Sequence, residues 1–164
     1  MQNHTYTTLF LAVCAVKHLE GQSGRLNQIV SNASLFHDIG KIKLPEPLMA
    51  KSAVTMNDAE FQEYKRHCEY GRDMLIKVSS LPKEVSQVVY GHHELGDGTG
   101  FPNQLVKRTL PIVTRVVCLA NVLSHMISNP KAHYKVAIAS VLKDPMANAK
   151  YGRDAIAGFL SLLE

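Results

Sequence analysis

Cysteine is scarce in this sequence, and no apolar run is long enough to cross a membrane. The 164 residues include three cysteines, Cys14, Cys68 and Cys118, which lie far apart in apolar surroundings. A scattered, odd-numbered set argues against a disulfide framework or a thiolate zinc site and favours buried thiols in a reducing compartment. The apolar stretch 9–16 is too short for a bilayer, with no basic segment before it and no cleavage pattern after it. We therefore expect a cytoplasmic protein.

A strong excess of charge is also missing. The formal net charge is +4 at pH 7, and the Lys and Arg residues are scattered rather than clustered. A nucleic-acid surface needs a basic patch or stripe, so this balance argues against a nucleic-acid polymer and suits a small anionic substrate better. Because the length fits one hydrophobic core and no linker divides the chain, we predict a single domain over residues 1–164.

Apolar residues recur at helical spacing, and no alternating strand pattern is present. Ser23 is a candidate N-cap, and Asn57 with Glu60 three residues later forms a capping-box pattern. Pro82 and Pro111 are typical of helix starts. Further helices are predicted over the first twenty residues, over 131–143 and over 152–163, whereas prolines break 39–56 and glycines break 96–102. The predicted fold class is an all-α bundle of about seven helices.

Histidine is the residue type that stands out, with eight in the chain. The candidates at inward positions of different helices are His4, His37 beside Asp38, His67, and the adjacent pair His92 and His93. A lone histidine on an apolar face is more often structural than a ligand, but adjacent His-Asp and His-His pairs together favour one shared metal site. Imidazoles and a carboxylate suit Fe, Mn, Zn, Ni or Co, and a carboxylate can bridge two ions. We therefore expect two divalent metal ions.

Two segments resemble the motifs of the HD-GYP family, whose members have the all-helical HD fold. Residues 37–42, His-Asp-Ile-Gly-Lys-Ile, resemble the HD signature. Residues 92–94, His-His-Glu, followed by 97–102, Asp-Gly-Thr-Gly-Phe-Pro, resemble the GYP segment, with Phe101 in place of its tyrosine. The middle histidine of the family matches His67, and residues 115–126 resemble its late helix. The likeness covers about residues 4–130.

The resemblance implies a set of site residues. The implied metal ligands are His4, His37, Asp38, His67, His92 and His93, with Asn121 as a weak further ligand. Asp38 would bridge the ions, and Lys41 matches the lysine that contacts the substrate phosphate, so these two are the implied catalytic residues. The implied substrate-binding residues are Lys41, Gly98, Gly100, Phe101 and Pro102.

Family members hydrolyse cyclic di-GMP to pGpG or GMP with a di- or trinuclear metal centre. The resemblance implies the same reaction here, with metal-activated hydroxide attacking phosphorus and Fe or Mn as the first choice of metal. It also implies a sensor or regulatory domain ahead of this one in a bacterial signalling protein. The expected partners are a cyclic dinucleotide or another phosphoester, a second copy of the chain, and a diguanylate cyclase or regulatory domain; no membrane partner is expected for this segment.

Three departures from the family pattern matter. Asn121 stands where the late helix supplies a carboxylate ligand, and Phe101 lacks the phenolic hydroxyl. Gln104, Lys107 and Arg108 replace the glycine and acidic pattern that usually follows, and Asn129 stands where an arginine is expected. His125, four residues after Asn121, lies on the same helix face and could replace or support the ligand. Two alternatives therefore stay open: a degenerate domain that binds metal or nucleotide without turnover, and an HD phosphohydrolase for another phosphoester. A purely structural domain would bind no metal.

Overall fold

The chain is all-helical, as predicted. The computed structural model describes residues 2–19, 23–49, 51–127 and 133–163. The helices of this part of the chain are α1 (Gln2–Val16), α2 (Gly24–Phe36), α3 (Glu46–Met49), α4 (Asp58–Leu75), α5 (Lys83–Gly91), α6 (Ile112–Ile127), α7 (Tyr134–Lys143), α8 (Ala147–Tyr151) and α9 (Arg153–Leu160). Short 3₁₀ turns cover Ile39–Lys43, Ala53–Thr55 and Lys107–Thr109. One antiparallel bridge joins Asp97 to Val106.

All seven predicted helices are present, together with two short ones that the periodicity did not reveal. Helix α3 lies in the proline-rich segment 39–56, and α8 follows Asp144 and Pro145. Four or five residues are too few to show a repeating apolar face, so such helices depend on tertiary packing. Helix α1 ends at Val16, earlier than the predicted twenty residues.

The predicted helix starts are confirmed by their capping contacts. The Ser23 side chain accepts a hydrogen bond from the backbone N–H of Leu26. Asn57 and Glu60 form the complete capping box, in which each side chain accepts from the other residue's backbone N–H. Each contact satisfies a donor that the first turn of a helix otherwise leaves unpaired, which contributes about 1 kcal/mol.

Helix α6 runs through the centre of the core. It packs against α1, α2, α5, α7, α8 and α9, and its residues 114–121, Leu123 and Ser124 are buried. Burial of apolar side chains of this kind stabilises a fold by about 1.5–3 kcal/mol each. This packing brings the start of α1, the end of α2 and the middle of α6 to one end of the bundle, where they meet α4 and the end of α5.

A close backbone contact attaches the turn after α2 to α4. A Cβ atom added at Gly40 would lie 1.9 Å from the carbonyl oxygen of His67 and 2.5 Å from the backbone nitrogen of Gly71. No side chain fits there, so glycine at position 40 is what lets the turn approach α4. The contact places Asp38 and Lys41 beside His67.

The structure also tests the predictions on membrane-spanning segments and on cysteines. No helix of the described residues is both long enough and apolar enough to span a bilayer. The free cysteines Cys68 and Cys118 are buried as predicted, and Cys14 is half-buried. Asn129 lies outside the described residues.

Candidate metal centre

The predicted histidines converge at one end of the bundle. His37, His67 and His92 are almost completely buried, while His4, Asp38 and His93 are partly buried at the edge of the cluster. They form two groups of close donor atoms that share one carboxylate: His4, His37 and Asp38 form the first, and Asp38, His67, His92 and His93 form the second. Each of the two groups could hold one metal ion.

Hydrogen bonds orient the three buried rings in the same way. Nδ1 of each ring lies 2.6–2.8 Å from the backbone carbonyl oxygen three residues earlier: Ser34 for His37, Tyr64 for His67 and Val89 for His92. A carbonyl oxygen only accepts, so Nδ1 carries the proton and the lone pair of Nε2 faces the cluster. Neutral imidazole in this tautomer is the form that binds a metal ion.

His4 is oriented by side chains instead. Its Nδ1 lies 2.7 Å from Ser124 Oγ, which donates to the backbone carbonyl of Asn121 at 2.8 Å and accepts from Thr8 Oγ1 at 2.8 Å. With its own proton used in this way, Ser124 accepts the Nδ1 proton of His4. The Nε2 atom of His4 therefore also points toward the centre.

The two oxygens of Asp38 face different histidine pairs. Oδ2 lies 3.4 Å from Nε2 of His37 and 4.0 Å from Nε2 of His4. Oδ1 lies 3.7 Å from Nε2 of both His67 and His92. A carboxylate placed in this way can bridge two cations, one beside each pair.

The spacing of the nitrogen atoms fits metal ligation. Nε2 atoms lie 3.2 Å apart between His4 and His37 and 3.3 Å apart between His67 and His92. Two unprotonated nitrogens at this distance repel each other unless a cation lies between them. Nitrogen ligands about 2.1 Å from one ion are about 3.0–3.4 Å from each other, so the observed spacing suits a shared ion.

Three buried polar atoms around the cluster lack hydrogen-bond partners among the residues that the structure describes. They are Asp38 Oδ1, His93 Nε2 and Asn121 Oδ1. Buried polar atoms without partners cost free energy, and at a functional site they mark places for an ion or an ordered water. The donor set of imidazoles and one carboxylate fits first-row divalent ions.

The charges of the site match this chemistry. Burial lowers the pKa of His4 and His67 from 6.5 to about 3, and it also lowers the pKa of His92 and His93. These rings are therefore neutral at pH 7. Burial alone would raise the pKa of Asp38, but its interactions with His37, His92 and the positive charge of Lys41 outweigh burial and hold the pKa well below its ordinary value. Asp38 is therefore ionised.

Lys41 stands beside the cluster with its charge retained. Its Nζ lies 2.7 Å from Asp38 Oδ2 and 5.4 Å from the centre of the Tyr64 ring. Burial alone would lower the pKa of Lys41, but Asp38 outweighs this effect and raises it. Lys41 lines a cavity of about 660 Å³ together with Tyr64, His93, Asn121 and other residues. This cavity is the approach to the cluster.

The predicted substrate-binding residues do not all border this approach. Phe101 lines the cavity and stacks on His93, with ring centres 4.5 Å apart, whereas Gly100 lines a neighbouring cavity. Gly98 and Pro102 line neither of these cavities. A Cβ atom at Gly100 would lie 2.2 Å from the backbone nitrogen of Leu95, so this glycine permits close packing of the loop.

His125 is not a member of either group of donor atoms. Its ring stacks on that of His4, with centres 4.0 Å apart and an angle of 30° between the planes. It is exposed and lines the cavity with Asn121. The structure thus places His125 as a neighbour of His4 at the cavity mouth.

Two important contacts were not predicted from the sequence. One is the bond between Ser124 and His4, and the other is a loop clamp made by Glu94, which is fully buried. The carboxylate of Glu94 accepts from the backbone N–H of Asn103 at 2.5 Å and of Leu105 at 2.8 Å. The sequence does show a charged residue directly after the His-His pair. It does not show which residues that carboxylate binds, because they lie nine and eleven positions further along the chain.

The fold and the site define a helical domain with a histidine-aspartate cluster that could hold metal ions. The chain belongs to the HD domain family, whose model matches residues 3–153. The resemblance to HD-GYP domains is confirmed by its relatives, and a solved structure shares the fold. The HDG"Y"P protein Bd1817 from Bdellovibrio bacteriovorus superposes with a TM-score of 0.78 at 20% identity, covering 98% of this chain and 51% of that chain. At this identity the likeness shows the fold alone.

Curated relatives are cyclic-dinucleotide phosphodiesterases by name. The chain is 31% identical over 106 residues to 3'3'-cGAMP-specific phosphodiesterase 2 of Vibrio cholerae, covering 64% of this chain and 20% of the relative. It is 33% identical to a cyclic di-GMP phosphodiesterase of Pseudomonas aeruginosa, covering 59% and 23%, and 29% identical to one of Thermotoga maritima, covering 79% and 36%. The chain thus spans only a fifth to about a third of these relatives.

Proposed function

We propose that this chain is a metal-dependent phosphodiesterase that hydrolyses a cyclic dinucleotide, with cyclic di-GMP as the first candidate. The observation that carries the proposal is the position of Asp38, whose two oxygens face two histidine pairs and which pairs with Lys41, a residue that lines the neighbouring cavity with His93. The relatives act on cyclic di-GMP and 3'3'-cGAMP according to their names, which supports this class of substrate.

Six residues would hold two divalent ions, of which Fe or Mn is the first choice and Zn, Ni or Co the alternatives. They are His4, His37, Asp38, His67, His92 and His93. When bound, the ions supply Lewis acidity and a hydroxide nucleophile near neutral pH. The neutral imidazoles leave the nitrogen lone pairs available at that pH, and the hydrogen bonds at Nδ1 hold the rings in place.

Lys41 would bind the phosphate that reacts. Its ammonium group has three N–H donors, of which one is directed at Asp38 and a second can reach Tyr64, so the third remains for a phosphate oxygen. Its charge would stabilise the negative charge that develops on those oxygens. Phe101, stacked on His93, would cover one side of the reacting group and limit the access of bulk water.

A second candidate function is a binding module that takes up metal and nucleotide without turnover. Asn121 favours it, because a neutral amide with an unpaired buried oxygen stands where the family pattern has a carboxylate. Five imidazoles and one carboxylate leave two divalent ions with about three uncompensated positive charges. A bound anion would then be needed to hold the metal.

Metal content and turnover together test the proposal. We expect about two ions per chain and hydrolysis of cyclic di-GMP with added Mn²⁺ or Fe²⁺, with both lost in His37→Ala and Asp38→Ala. His18→Ala and Asp73→Ala, at exposed positions, are the matched controls and should retain both. Metal binding without turnover of cyclic di-GMP, 3'3'-cGAMP or other phosphoesters would support the binding module. A wild-type protein that binds no metal would contradict both functions.

A further inference from the structure

A second cavity adjoins the approach to the metal centre. It has a volume of about 290 Å³ and shares Phe61, His93 and Phe101 with the larger cavity of about 660 Å³. These aromatic side chains form a wall between the two spaces. Lys41 borders only the larger cavity, and Lys65 borders only the smaller one. The smaller cavity therefore has one lysine, Lys65, and the larger cavity has two, Lys41 and Lys51.

Aromatic rings hold the Lys65 ammonium group in position. Its Nζ lies 4.8 Å from the ring centre of Phe61, four residues earlier on α4, and 5.8 Å from that of Phe101. Contacts of this kind attract a cation to the face of a ring, yet they leave its full charge in place. The N–H donors of Lys65 thus remain available to an anion.

Lys65 differs in this respect from the other lysines of the cleft. Lys41 pairs with Asp38 at 2.7 Å, and Lys51 pairs with Glu60 at 2.5 Å. Within the described ranges no carboxylate forms an ion pair with Lys65, although it borders the same cleft. Its positive charge is therefore not compensated by a carboxylate of the described residues.

The two lysines lie at opposite ends of a row of rings. Lys41 contacts Tyr64, the Tyr64 and Phe61 rings stack 6.2 Å apart, and Lys65 covers Phe61. A cyclic dinucleotide carries two phosphodiester groups, of which only one can occupy the reacting position beside Lys41. The other needs a separate cation along the same cleft.

We propose that Lys65 binds the second, non-reacting phosphate of the substrate and so determines specificity for ligands with two phosphodiesters. This inference rests on the proposed function, since it names the part of the substrate that the smaller cavity receives. Lys65 is a specificity-determining residue, because it contacts the substrate away from the atoms that react.

The test compares two substrates that differ in the number of phosphates. Lys65→Met keeps the aliphatic packing over Phe61 and removes the charge, whereas Lys65→Arg keeps the charge. Lys77→Met is the control, because it removes one charge at an exposed site beyond the end of α4. We expect KM for cyclic di-GMP to rise about tenfold in Lys65→Met, with kcat unchanged. Hydrolysis of bis(p-nitrophenyl) phosphate, which has one phosphate, should be unchanged in every variant. Lys65→Arg should restore KM, and Lys77→Met should behave as wild type.

If Lys65→Met lost activity equally on both substrates, or left the KM for cyclic di-GMP unchanged, the role of Lys65 would be overturned while the proposed function stayed intact. If the wild type hydrolyses neither substrate, the proposed function fails, and equilibrium binding of cyclic di-GMP decides the inference separately. Binding about tenfold weaker in Lys65→Met than in wild type would then support it. Equal affinities, or no binding to the wild type, would overturn it.

Discussion

Ser124 on α6 holds His4 on α1 through a hydrogen bond of 2.7 Å between Oγ and Nδ1. The two residues are 120 positions apart in the chain, and the contact fixes the tautomer that turns His4 Nε2 toward His37. A hydroxyl in the core of the bundle thereby controls a candidate metal ligand at its edge. Such supporting contacts affect metal affinity even though they do not touch the ion.

Ser124→Ala should lower metal affinity by about 10- to 100-fold, because His4 loses its orientation and tautomer. Ser124→Thr retains the hydroxyl and should restore much of the affinity. Ser140→Ala, which removes a hydroxyl bonded to the backbone of α7, is the matched control. Calorimetric titration of the apo protein with Mn²⁺ measures the metal affinity of each variant. Unchanged affinity in Ser124→Ala would show that this contact does not position a ligand.

Asn121→Asp should strengthen metal binding, but it should destabilise the protein when no metal is bound. With metal, the added carboxylate offsets excess positive charge, so we expect at least about tenfold tighter metal binding and faster hydrolysis of cyclic di-GMP. Without metal, a second buried carboxylate near Asp38 should lower the free energy of unfolding by about 1–3 kcal/mol. Asn148→Asp, at an exposed position of α8, should change neither the metal affinity nor the free energy of unfolding. Urea unfolding with EDTA and with Mn²⁺ separates the two effects.

The stability of the apo protein should fall when the pH drops from 7.5 to 5.5. The pKa of His4 and His67 is about 3 in the folded protein, whereas an unperturbed histidine, as in the unfolded chain, has a pKa of 6.5. As the pH falls below about 6.5, the unfolded chain therefore binds protons before the folded protein does. Each histidine then removes about 1.4 kcal/mol in total between pH 7.5 and 5.5, because the loss approaches about 1.4 kcal/mol per pH unit only below pH 6.5, and its full contribution is present above this window. Urea unfolding in EDTA measures the change, and His67→Leu should reduce the slope. Equal stability at both pH values would contradict the neutral state of these rings.

Glu94→Gln should loosen the loop that carries Phe101. The amide keeps one acceptor oxygen but brings an NH₂ group against one of two backbone donors, Asn103 N–H or Leu105 N–H, at a cost of about 1–3 kcal/mol. Faster hydrogen exchange at these two amides and a higher KM for cyclic di-GMP are expected. Glu69→Gln, at an exposed position on α4, serves as the control. Unchanged exchange at both amides would show that Glu94 does not hold the loop.

Local signals were sufficient to predict most of the helices. The caps at Ser23 and Asn57 and the prolines at 82 and 111 mark helix starts through contacts with neighbouring residues, so they are visible without knowledge of the fold. The short helices α3 and α8 have no such local signature, because helices of that length are stabilised by what they pack against. This difference explains why seven helices were predicted where the described residues contain nine.

The sequence by itself determined the chemical inventory of the site: imidazoles on inward faces of separate helices, Asp38 beside one of them, and Lys41 one turn later. Periodicity shows which face a residue occupies, but it carries no information on which faces meet. Only the tertiary structure decided that the two oxygens of Asp38 face separate histidine pairs and that Ser124 orients His4. It also decided that Lys65 lies against Phe61 and Phe101, with no ion-pairing carboxylate in the part of the chain that the structure describes. Those relationships depend on distances between helices, which long-range packing sets.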